Sequence, residues 1–174
     1  MAINKGYLTA KTDKASDEYY TPKSAVLPLL PYLADKKYTI WCPFDDETSE
    51  YVQCFREQGH NVIATHIDFE QDFLNYEPTE LYDIIISNPP FSIKDKVLKR
   101  LNELNKPYAI LLPLPTLQGQ KRFPYLENSQ ALIFDKRINF YTDIAHTQIA
   151  KGVAFASIYI CKNFLPKDLI FTKL

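Results

Sequence analysis

The residues best placed to do chemistry form one stretch, Tyr82-Asp83-Ile84-Ile85-Ile86-Ser87-Asn88-Pro89-Pro90-Phe91. Asn88 carries an amide oxygen that accepts hydrogen bonds. The carbonyls of Pro89 and Pro90 are acceptors with no N–H of their own residue beside them. A planar amino group could donate both its hydrogens into such a cluster while Phe91 covers the face of its ring. The exocyclic amine of an adenine swung out of its stack is a group of that kind. The plainer alternative is a strand that ends at a diproline turn.

The elements around this stretch must hold it still. Three consecutive isoleucines suit a short strand buried on both faces. Neither proline can donate to a sheet ladder, so the chain leaves the sheet there in a fixed, extended turn. Asn88 and Phe91 therefore belong at the carboxyl end of a central strand, where open α/β sheets bind ligands.

Further strands are predicted at Tyr38–Cys42, Asn61–Ile67, Pro107–Pro113, Ala131–Phe134, Arg137–Tyr141 and Ala154–Cys161. Thr142 to Gly152 is too short for a crossover helix, so the last two should pair antiparallel. Helices are expected after Thr21-Pro22, with Thr21 as cap and Pro28 and Pro31 keeping it short, and over Glu47–Gln58, capped by Asp45 or Asp46 and closed at Gly59. A third, capped by Ser92, should run to about Leu104. Its Lys94, Lys96, Lys99 and Arg100 give either a solvated face or a basic side near the strand tip. Only 14 residues separate Ile67 from Tyr82, too few for helix, strand and helix, so the sheet should be trimmed there. Pro113-Leu114-Pro115 opens a loop through Gly119, Lys121 and Arg122 that is placed to cover a substrate.

The motif Asn88-Pro89-Pro90-Phe91 after an apolar strand resembles the (D/N/S)-P-P-(Y/F) motif of the N6-adenine DNA methyltransferases that use S-adenosyl-L-methionine. The order of elements is most similar to the small phage-type members that lack a separate target-recognition domain. The resemblance implies a Rossmann-like α/β fold, mostly parallel with a terminal antiparallel hairpin. It implies that Asn88 and the Pro89 carbonyl hold the target amine, that Pro90 fixes the turn, and that Phe91 stacks on the base. For the cofactor it implies three regions. Tyr20-Thr21-Pro22 matches a Y-x-T-P element beside the methionine end, and Pro43-Phe44-Asp45 occupies the turn after the first strand. Asp72-Phe73 matches a D-F element at the adenine, although a capping acid followed by a core Phe would look the same. At the end of the second strand either His66 or Asp68 stands where a carboxylate usually binds the ribose. One departure from the family is plain. The turn Pro43-Phe44-Asp45-Asp46-Glu47-Thr48-Ser49 has no glycine and three acids, so a ligand is held farther from the backbone.

Composition narrows the classes. The chain has 174 residues, 46% hydrophobic and 24% charged, enough for one domain with a real core. Residues 1–17 read as a polar arm and 18–174 as the domain. No run is long enough to span a membrane, and Met1–Lys5 does not open a secretion signal. Cys42, Cys54 and Cys161 form no metal-binding pair and read as reduced thiols of a cytoplasmic protein; the resemblance implies that the cell is a bacterium or a phage-infected host. A net charge of −1 supplies no global field for DNA. DNA as substrate would need a local patch, a second copy of the chain or a partner protein. Two other classes stay open: a degenerate fold retained as a binding module, and a methyltransferase acting on RNA or a protein amide.

Overall fold

The computed structural model describes residues 19–143, 145–150 and 155–174; the predicted arm lies outside them. Seven strands make one sheet: β1 (Thr39–Cys42), β2 (Asn61–Ala64), β3 (Ile84–Ser87), β4 (Tyr108–Pro113), β5 (Gln130–Phe134), β6 (Ser157–Lys162) and β7 (Leu169–Thr172), in the order β2-β1-β3-β4-β6-β5-β7. Only β6 runs against the others, pairing antiparallel with β4 and β5. The triple isoleucine occupies β3, every residue of which is buried, because strands flank it on both sides and helices cover the sheet.

The helices are α1 (Lys23–Val26), α2 (Glu50–Glu57), α3 (Lys94–Leu104) and α4 (Phe123–Leu126). The connection β1-α2-β2 steps one way across the sheet and β3-α3-β4 the other. Since parallel crossovers are right-handed, α2 and α3 must lie on opposite faces. Accordingly α2 packs on α1, and α3 on α4. The strand order reverses between β1 and β3, and a crevice opens there. This is the Rossmann-like layout, and the expected trimming holds: between β2 and β3 lie a 3-10 turn at Ile67–Phe69 and loops.

The core is aromatic and hydrogen-bonded where it must be. Trp41 is fully buried and its indole N–H donates to Thr65 Oγ1 at 2.8 Å. Tyr51 of α2 and Tyr159 of β6 share a 2.7 Å hydroxyl contact, and Tyr159 donates onward to the Ala25 carbonyl in α1 at 3.1 Å. Burying these phenols is tolerable only because each finds a partner.

Several local expectations are corrected. β6 pairs antiparallel with β4 and β5, not with Arg137–Tyr141, which joins no strand; Tyr141 makes isolated bridges to Tyr20 and Ile149. The pattern at 137–141 is apolar because Ile138 and Phe140 are buried, so alternation there reflects packing of a loop. The chain then adds β7 parallel to β5, a strand without a strong sequence signal because it lies at the sheet's edge. Ser49, not Asp45 or Asp46, caps α2, accepting from the Tyr51 amide. Neither Thr21 nor Ser92 caps a helix: Pro22 precedes α1 and Ile93 precedes α3, each without a side-chain cap bond. Past α1, Pro28 and Pro31 turn the chain into a 3-10 helix over Leu27–Leu33, as missing amides require.

Candidate functional site

Three strand ends converge at the crevice. From β1 the chain passes into Pro43–Ser49, from β2 into Thr65–Asp68, and from β3 into Asn88-Pro89-Pro90-Phe91. With Tyr19–Thr21 and His146 they line a cleft of about 260 Å³. Every residue that the resemblance assigns to the target amine or the cofactor lies on its wall except Pro22, which is buried at the start of α1; Lys94, Lys96, Lys99, Arg100, Gly119, Lys121 and Arg122 are not on the wall.

Asn88 is held from one side only. Its Nδ2 donates to Thr21 Oγ1 at 3.0 Å and toward the Tyr19 carbonyl at 3.4 Å. A carbonyl can only accept, which fixes which end of the amide faces Tyr19. Behind it, the Tyr51 phenol meets Tyr159, which donates to the Ala25 carbonyl, so the Tyr51 hydroxyl is the donor to Tyr159. With Nδ2 turned to Thr21 and Tyr19, Asn88 Oδ1 is left buried with no hydrogen-bond partner. An orphan acceptor of this kind is costly, roughly 1–3 kcal/mol, and its fixed orientation makes it an unfilled socket for a donor.

Asp45 is the second unusual group. It turns away from solvent and is 9% exposed. Ser49 donates to one carboxylate oxygen and Ser87 to the other. Burial pushes its carboxyl up to about 6, while the two serine bonds and His66 pull the other way. No cation pairs with it among the described residues. The side chain thus ties the turn after β1 to the last residue of β3, immediately before Asn88. Asp46 instead closes its own turn, accepting from the Thr48 amide and hydroxyl. Glu47 pairs with Arg56. The three acids of the glycine-free turn thus have three different fates.

The remaining predicted positions behave more plainly. Asp72 accepts from the Leu74 amide and Asn75 Nδ2, so it caps its loop while also lining the cleft. Phe73 is buried between Trp41 and Phe44, with ring centroids 5.3 and 5.1 Å away. His66 Nδ1 accepts from the Asp68 amide at 3.3 Å, so both residues compared at the second strand reach the cleft and neither is singled out. Phe91 is 8% exposed and meets Phe155 edge-on at 5.2 Å. Its ring is a core member as well as a wall of the cleft. Truncating Phe91 to alanine is therefore expected to destabilise the fold by roughly 3 kcal/mol, read as a lower denaturant midpoint at unchanged slope. An unaltered midpoint would place the ring's work entirely in ligand contact.

Sequence reasoning missed His146, Glu50, Ser49 and Tyr19. Ser49 had a signal, a small hydroxyl residue just before a helical repeat. His146 had none. It reaches the cleft because the loop after Tyr141 folds back, with Asp143 accepting from the Thr147 and Gln148 amides. The imidazole stacks on Tyr141 with centroids 4.9 Å apart and lies 3.5 Å from a Glu50 oxygen. Among the described residues no group of side chains is arranged to hold a metal ion, and no helix is long and apolar enough to cross a membrane.

No family model matches the sequence, and no curated protein matches it either. Among solved structures the chain is similar to the methyltransferase subunit of a type I restriction-modification system from Streptococcus thermophilus, with 15% identity and a TM-score of 0.49, over 90% of this chain and 47% of that one. It is also similar to a Thermoplasma acidophilum protein provisionally named a methyltransferase, with 12% identity and a TM-score of 0.36, over 89% of this chain and 69% of the other. The chain spans about half the length of the first. Similarity at this level does not extend to activity or substrate.

Proposed function

We propose that this chain is an S-adenosyl-L-methionine-dependent methyltransferase whose acceptor is the N6 amine of adenine in DNA. The observation that carries the reading is Asn88 Oδ1, buried, oriented and unpartnered at the tip of β3. An exocyclic amine donating one hydrogen to this oxygen and the other to the Pro89 carbonyl would present its lone pair away from both. Those two bonds strengthen as positive charge grows on the nitrogen, so they favour the transition state over the ground state. Positioning and electrostatics suffice, and no covalent intermediate with the protein is needed. The oxygen is covered in this conformation, so neighbouring side chains must shift for an amine to reach it.

The cleft suits the cofactor at most points. Its aromatic wall of Phe44 and Phe73 would flank an adenine ring, Asp68 or His66 would meet ribose hydroxyls, and Tyr20-Thr21 would lie toward the methionine end. When bound, the cofactor supplies an electrophilic methyl group. The turn Pro43–Ser49 fits less well. Without glycine it cannot bring backbone amides close, and none of the side chains on the cleft wall is Lys or Arg. We expect dissociation constants of tens of micromolar or weaker.

Transfer of labelled methyl from S-adenosyl-L-methionine to adenine-containing DNA, compared with RNA and with protein, tests the reading. Label appearing only in RNA or protein would move the acceptor; label in none, together with no binding at millimolar cofactor, would refute it. The buried Asp45 favours one rival reading. A turn tied down by its own carboxylate is what a methyltransferase fold retained as a binding module would show, and failure to bind cofactor is the result that reading requires.

A further inference from the structure

We infer that the cleft selects its cofactor by charge, binding cationic S-adenosyl-L-methionine in preference to the uncharged-overall product S-adenosylhomocysteine. The inference rests on the cofactor reading of the same cleft. Five acids stand on its wall, Asp45, Asp46, Glu50, Asp68 and Asp72, against two histidines and no Lys or Arg. Even with both imidazoles protonated, negative charge is in excess. Three of the five have only neutral partners: Asp45 takes two serine hydroxyls, Asp46 the Thr48 amide and hydroxyl, and Asp72 an amide and Asn75. His66 Nδ1 lies beside Asp68 and His146 Nδ1 beside Glu50, so each imidazole stands next to an acid of the same wall. The Glu47–Arg56 pair lies outside the wall and cancels itself.

The two ligands share a carboxylate and an ammonium, and differ by the methyl that makes sulfur a sulfonium. The methylated form carries one more positive charge. The shared carboxylate is repelled equally in both, so the difference between them isolates the attraction of the wall for the sulfonium. Part of the cleft is shielded from water, and there such an attraction is weakened less by solvent and salt. Asp45, whose carboxyl is raised to about 6 by burial, is ionised at neutral pH and adds to the field there. Loss of the charge with the methyl would then help product leave.

Isothermal titration of the full chain at pH 7.5 with S-adenosyl-L-methionine, S-adenosylhomocysteine and sinefungin, which carries an amine in place of the methylated sulfur, tests this. The methylated cofactor and sinefungin should bind at least tenfold tighter than S-adenosylhomocysteine, and the ratio should shrink between 50 and 500 mM salt, roughly one Debye length of about 14 Å falling to about 4 Å. Glu50→Gln, which removes one wall charge without disturbing a turn, should lower the ratio about threefold. Equal or tighter binding of S-adenosylhomocysteine overturns the charge selection while leaving the cofactor reading intact. Absence of binding by all three at millimolar concentration overturns both.

Discussion

Replacing Asn88 with alanine is expected to reduce methyl transfer at least about a thousandfold, toward background, while cofactor affinity and folding change little. A preorganised polar group that meets developing charge is worth about 10²–10³ in turnover when removed. Here the same atom also orients the acceptor nitrogen, so the loss should lie at the upper end or beyond. The structural cost is small by comparison. Alanine gives up the bonds to Thr21 Oγ1 and the Tyr19 carbonyl, each about 1 kcal/mol net, and at the same time removes an unsatisfied oxygen. Turnover should fall at saturating cofactor and DNA, since the bonds matter most in the transition state. Wild-type turnover in Asn88→Ala would sink the assignment of the socket. A large drop in melting temperature would instead mark Asn88 as part of the frame.

What could be read in the sequence, and what could not, follows from how local the signal is. The strand Ile84–Ser87 and the tip after it were legible because burial on both faces demands continuous apolar residues and because prolines stop a ladder. The trimmed sheet was legible from chain length alone. The wrong pairing partner of β6 has a physical origin: Ile138 and Phe140 are buried in a loop, and alternation records burial without recording hydrogen bonds. The roles of Thr21 and Asp45 were illegible for a related reason. Each has a good local use as a cap, and each is drawn instead into a long-range bond, Thr21 to Asn88 and Asp45 to Ser87. Ser49 takes over the capping that Asp45 relinquishes. His146, some distance along the chain from every other residue of the cleft, could be placed there only by the fold.

Asp45 supplies the second large expected effect, a pH dependence of stability. Its ordinary carboxyl value is 3.8, and in the folded chain burial raises it to about 6. A proton is therefore held more tightly by the folded state than by the unfolded one. Between pH 4 and pH 6 the folded chain binds more protons at this site, so its contribution to unfolding free energy falls as pH rises. Below the unfolded value the penalty is absent, and above the folded value it is complete. Each tenfold change in proton affinity is worth about 1.4 kcal/mol, so the full penalty is about 3 kcal/mol. Other carboxylates titrate in the same range, so the wild-type curve alone does not isolate the effect. Asp45→Asn does. The amide keeps the shape, and one serine hydroxyl can turn from donor to acceptor, but no charge develops. The difference in urea unfolding free energy between Asp45→Asn and wild type should grow in favour of the variant from pH 4 to pH 7 by roughly 3 kcal/mol and then level off. A difference that stays flat over this range would mean that the carboxylate is stabilised in place by Ser49 and Ser87 as well as it is by water, and that the tie between the turn and the strand tip costs the fold nothing at neutral pH.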